Sequence, residues 1–166
     1  MISAIKVINR QRKKRLDLCA CQTFAETALA RVKRRNRKVI FPAEIGVFFV
    51  SDIRIGQIHR DFLAVSGATD VITFQHGEIF ISVETAQRHA EQFSTGFLEE
   101  IELYIVHGLL HLAGFDDKTA RGYKRMKALQ EEIIREVEFA LGQKVPSAPG
   151  YAMEALFGWR KISVDC

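Results

Sequence analysis

The chain has 166 residues, enough for one domain that buries about two-thirds of the surface its unfolded form exposes. Its 48% hydrophobic and 27% charged residues are ordinary for a protein in water, and no apolar run approaches the roughly 20 residues of a membrane span, which excludes a membrane-embedded class. The net charge of +4 hides an asymmetry: residues 1–60 carry 14 Lys/Arg against 4 Asp/Glu, while residues 61–166 carry 10 against 16. Two clusters make the basic half, RQRKKR at 10–15 and RVKRRNRK at 31–38. Such clusters attract polyanions by neutralising phosphates, although either alone is equally explained as a solvated face. The N-terminus, MISAIKVINRQRKKR, has neither the apolar core nor the small-residue cleavage site of a secretory signal, so a cytoplasmic location is expected. The three cysteines are an odd number, and Cys19 and Cys21 are two residues apart, which argues against a disulfide framework.

In chain order, AIKVIN at 4–9 reads as a first strand, and LDLCACQTFAETALARV at 16–32 has apolar residues at helical spacing. AEIGVFFVS at 43–51 has the β-branched and aromatic density of a buried strand. Asp52 is expected to cap the short helix IRIGQIHRDF, followed by a loop around Ser66 and Gly67. DVITF and EIFIS, separated by QHG, read as an antiparallel pair, and Ser82 caps a helix to about Phe93. The next helix, roughly Phe97 to Ala113, opens with the acidic turn EEIE and continues as LYIVHGLLHLA, apolar on every side and so placed in the interior. Gly114 ends it. From Lys118 to Leu141, Tyr123, Met126, Leu129, Ile133 and Val137 form one apolar stripe, with Gly142 as a stop. VPSAPG at 145–150 marks a boundary, giving one domain at 1–144 and a short tail at 145–166. The expected class is α+β: a small mixed sheet of about four strands packed on the buried helix, with several further helices.

His107 and His111 stand one turn apart on the same helix face, where two imidazoles can approach one metal ion. They are also compatible with core histidines satisfied by backbone partners. Gly114 lets the chain leave the helix sharply, and the turn can return Asp116 or Asp117 as a third ligand. One Zn²⁺ ion held by three protein ligands keeps a position for water, whose pKa it lowers toward 7. The string H-x-x-x-H-x-x-G-x-x-D resembles the metzincin protease stretch H-E-x-x-H-x-x-G-x-x-H, except that Gly108 replaces the Glu that serves as general base.

HGLLHLAGFDD at 107–117 more closely resembles the signature of the YbeY endoribonucleases, the bacterial rRNA maturation factors: H-G-x-L-H-L-x-G-Y-D-H, with Phe115 for Tyr and Asp117 for the last His. IGQIHRDF resembles the segment holding that family's functional Arg, here Arg60. ATDVITF resembles its P-T-D-V-L-S-F, with Ala68 for Pro, and GEIFIS its G-D-I-V-I-S. The resemblance covers roughly residues 4–141. It implies a zinc-dependent endoribonuclease that cuts single strands in rRNA processing and ribosome quality control, with ribosomal RNA or a ribosomal subunit as partner. By position, His107, His111 and Asp117 would be the metal ligands, Asp116 a turn residue or one bonded to a ligand, and His107 and Arg60 catalytic, Arg60 on phosphate. ATDVITF would offer an exposed strand beside the metal. Arg34, Arg35 and Arg37 are expected to bind RNA alongside Arg60, and His59, His76 and His89 to be solvated or locally hydrogen-bonded. Two rival classes remain at this level: a zinc protease, and a non-catalytic ribosome-assembly protein with a structural zinc.

Overall fold

AIKVIN is rich in β-branched residues, Ile5, Val7 and Ile8, and Ala4–Asn9 is accordingly a strand, β1, in the computed structural model. The structure describes residues 3–142, so the tail at 145–166 and its boundary lie outside the described residues. In order follow helix α1 (Leu18–Arg35), β2 (Glu44–Val50), α2 (Asp52–Leu63), β3 (Val71–Phe74), β4 (Glu78–Ser82), α3 (Val83–Phe93), α4 (Phe97–Leu112) and α5 (Ala120–Ala140).

The four strands form one mixed sheet in the order β1-β2-β4-β3; β1, β2 and β4 run parallel, and β3 pairs antiparallel with β4. Because side chains alternate across a strand, the register sorts them into two faces. Val7, Val47, Ile79 and Thr73 share one row, and Asn9, Phe49, Ile81 and Val71 the next on the same face. Most of their apolar members join the main core with Phe24, Ala25 and Ala28 of α1, Ile101, Ile105 and Leu109 of α4, and Ile133 and Val137 of α5. On the opposite face Phe48, Phe80 and Ile72 form a row that packs with Ile55 and Ile58 of α2 in a smaller cluster. Thus α2 covers one face of the sheet and α1, α4 and α5 the other.

Asp17 caps α1, its carboxylate accepting from Ala20 N at 3.0 Å. The helix runs three residues beyond the expected Val32, because Lys33, Arg34 and Arg35 suit the negative end of its dipole. Arg35 is also held there by Glu132 and Glu136 of α5, at 3.1 and 2.5 Å. The start of α2 differs from expectation by one residue: Ser51 is the cap, its Oγ accepting from Arg54 N at 3.3 Å. Asp52 instead accepts from Ser82, Thr85 and Arg88, tying α2 to α3. These bonds outweigh the opposing effect of burial and lower the Asp52 pKa.

Candidate metal centre

Helix α4 is buried around its whole girth, with twelve of its sixteen residues inaccessible, and this holds its backbone against the sheet. Gly108 permits the closest approach: a Cβ there would lie 2.6 Å from Ile79 Cγ2 and 3.2 Å from Thr73 Oγ1. The neighbouring His107 and His111 are thereby fixed beside β3 and β4. Their Nε2 atoms stand 2.9 Å apart, with the rings nearly perpendicular. Gly114 then adopts φ +78°, and its N–H donates to His111 O at 2.9 Å as the helix closes. Asn36 Nδ2 donates to Ala113 O at 2.9 Å, a carbonyl the helix end leaves open, and Gln75 Nε2 is a second, longer donor to His111 O at 3.4 Å. The turn brings Asp117 Oδ1 to 4.0 Å from His111 Nε2, and the ligand atoms of His107, His111 and Asp117 all lie within 4.8 Å of one another. Asp116 accepts from Lys118 N at 3.1 Å and shapes the turn.

Whether these residues suit a metal can be tested on their own chemistry. His107 Nδ1 lies 2.7 Å from Gln130 Oε1, an oxygen that can only accept, so Nδ1 carries the proton and Nε2 presents a lone pair. That lone pair accepts from His111 Nε2 at 2.9 Å in the metal-free protein, and once a cation displaces this proton the two imidazole nitrogens and the Asp117 carboxylate make the donor set of a divalent ion. Ligand atoms about 2.0–2.2 Å from a tetrahedral zinc stand roughly 3.3–3.6 Å apart. Two of the pairs stand at 2.9 and 4.0 Å and all three within 4.8 Å, so side-chain rotations that move these atoms by about 1 Å bring the group to that spacing. Burial, and next His111, push the His107 pKa down to about 4, against Gln130, Asp117 and Asp70. The imidazole is therefore neutral at pH 7, the form that ligates. The group fits a metal ion.

ATDVITF leads into a strand beside α4, but not the exposed strand expected: Val71, Ile72 and Phe74 are buried because both faces of β3 are packed, and only Ala68 at its start is exposed. β3 is the edge strand next to α4, and Asp70 at its entry, its own pKa raised by burial, faces the field of His107. Arg60 is exposed in the last turn of α2, on the face of the sheet opposite α4, and the structure does not bring it together with the His-His-Asp group. Arg34 and Arg37 are exposed, whereas Arg35 is engaged by α5. Asn36 joins this basic segment to the turn after α4. His59 bonds Gly67 O and His76 bonds Glu78, both nearby in sequence, whereas His89 bonds Tyr104 of α4 and ties α3 to it, a tertiary partner rather than a local one. Sequence reasoning missed Gln130, whose signal is a polar residue in the apolar row Met126, Ile133, Val137. It also missed Thr73, whose buried hydroxyl has no hydrogen-bond partner among the described residues.

Fold and group together define a single-domain α+β protein with a His-His-Asp cluster, on one buried helix and its closing turn, that could hold a metal ion. The family model described as Endoribonuclease YbeY matches residues 6–138, and the chain belongs to that family. A Bacteroides fragilis protein named Endoribonuclease YbeY is 37% identical over 98 residues, 55% of this chain and 70% of its own. One of the same name from Syntrophotalea carbinolica is 30% identical over 148 residues, 80% of this chain and 95% of its own. The solution structure of a Thermotoga maritima protein matches with a TM-score of 0.60 at 23% identity, covering 87% of this chain and 99% of its own, a likeness of fold.

Proposed function

We propose that this protein is a metal-dependent endoribonuclease that cuts single-stranded RNA in rRNA processing and ribosome quality control in the cytoplasm. The observation that carries the reading is the convergence of three ligand atoms within 4.8 Å, in a chain of the YbeY family. His107, His111 and Asp117 would hold the ion, with zinc suited to two imidazoles and a carboxylate. Such an ion supplies Lewis acidity toward a phosphate and lowers the pKa of water. Arg60, exposed at the end of α2, is assigned to phosphate, where a guanidinium pairs bidentately with two oxygens and offsets charge that develops during cleavage. Arg34 and Arg37 face solvent and would neutralise the backbone of a bound strand, with a smaller part for Arg35. Gly108 argues against the protease reading, since the position that would need a general-base Glu has no room even for a Cβ.

The test is cleavage of single-stranded and duplex RNA by the purified protein, with chelator and with zinc restored, beside His111→Ala. Single strands should be cut, the activity should vanish with chelator and return with zinc, and His111→Ala should neither retain zinc nor cut. RNA binding without cleavage in the zinc-loaded protein would instead support an assembly protein with a structural metal.

A further inference from the structure

Helix α5 turns an apolar row toward α4, and one member of that row is polar. Gln130 is 5% exposed, in line with Met126, Ile133 and Val137, and places its Oε1 2.7 Å from His107 Nδ1. Burying a carboxamide in such a row is unfavourable unless the amide is bonded. A neutral imidazole distributes one proton between two nitrogens, and the partner of one nitrogen decides the state of the other. An oxygen at Nδ1 places the proton there and leaves Nε2 as a donor to metal. A hydrocarbon in its place would remove that preference and let the proton shift to Nε2, where it would block ligation.

We propose that Gln130 is a positioning residue for metal binding: it holds His107 as the Nδ1–H tautomer and aims its Nε2 lone pair at Asp117 and His111. The amide does this without adding charge, so among the three ligands and Gln130 the only anion is Asp117. The inference rests on reading the cluster as a metal site, but the tautomer belongs to the metal-free protein and is measured separately.

Two measurements test it, on the parent, Gln130→Leu and Gln130→Glu. The first is the protonation of the His107 ring nitrogens in the metal-free protein, from ¹⁵N chemical shifts at neutral pH. The second is the zinc dissociation constant, from competition with a chromophoric chelator. The parent should show a protonated Nδ1, and Gln130→Leu a mixed or Nε2-protonated ring with zinc bound about 10–100-fold more weakly. Gln130→Glu, which keeps an acceptor, should hold the parent tautomer and bind zinc at least as well as the parent. Should Gln130→Leu fail to fold, the parent tautomer and the Glu variant decide. A parent ring protonated on Nε2, or a Leu variant with parental affinity and tautomer, overturns the proposal. A parent with the expected tautomer that takes up no zinc overturns the metal reading and leaves the tautomer assignment standing.

Discussion

Asp117 is the residue on which the chemistry of the cluster turns. A carboxylate in a third-ligand position brings a negative charge that lowers the electrophilicity of a bound cation relative to an imidazole there. Asp117→Ala should therefore weaken zinc binding severely, and Asp117→His should restore or raise it, as metal titration would show. Parental affinity in the Ala variant would remove Asp117 from the ligand set and return Asp116 as the candidate. Arg60 is tested by the opposite pattern. Arg60→Glu should abolish RNA cleavage with zinc content unchanged, because its helix lies across the sheet from the cluster; parallel loss of metal would contradict that division of roles.

Among the elements, α4 shows both what periodicity reveals and where it stops. The unbroken apolar run LYIVHGLLHLA correctly implied a helix inside the protein, but the acidic turn before it held more than a favourable interaction with the helix dipole. Glu99 accepts from Gly96 N at 2.9 Å and Glu100 from Thr95 Oγ1 at 2.6 Å, while Glu102 is buried, and burial with Glu138 and Glu99 nearby pushes its pKa up to about 7. A carboxyl whose folded pKa lies above its unfolded value favours folding below the unfolded pKa and loses that contribution as pH rises toward 7. Glu102→Gln should thus be more stable than the parent by about 1–2 kcal/mol at pH 8, with the difference closing near pH 4.5, as paired denaturant titrations would show. A difference independent of pH would mean that the carboxyl ionises freely. The helix boundaries that sequence placed differently have equally local causes. At α2, sequence named Asp52 as the cap, but the tertiary partners Ser82, Thr85 and Arg88 engage its carboxylate and Ser51 caps the helix instead. Gln130 was illegible because its partner is 23 residues away on another helix, whereas His107, His111 and Asp117 were legible because all three lie within one helix and its closing turn.

For the molecule as a whole, the basic half resolves into cations that face solvent and cations that hold the fold. Arg35, with a quarter or less of its side chain accessible, bridges α1 to Glu132 and Glu136, so Arg35→Gln should cost about 0.5–1 kcal/mol of stability and alter RNA affinity little. Arg34 and Arg37 are free of that duty. Replacing both with Gln should weaken binding of unrelated RNA sequences alike and make the dependence of log affinity on log salt shallower by about 1.4, with cleavage at saturating RNA retained. An unchanged salt slope would mark the segment as a solvated face and move the polyanion contact to residues 10–15, where Gln11 organises the loop through Asn9 and Lys14. Composition showed the charge asymmetry but could not tell these roles apart, because ion pairs across α1 and α5 join residues about a hundred positions apart. Among the described residues β1 and β3 are the two unpaired edges of the sheet, and each is guarded in a different way. β3 offers only four residues to any strand that might dock beside it, too few for a lasting ladder, while β1 carries Lys6 and leads directly into Arg10, Arg12, Lys13 and Lys14. Two copies meeting edge to edge along β1 would bring these cations together, so concentrated solutions should resist fibril formation at low salt and lose that resistance as salt is added.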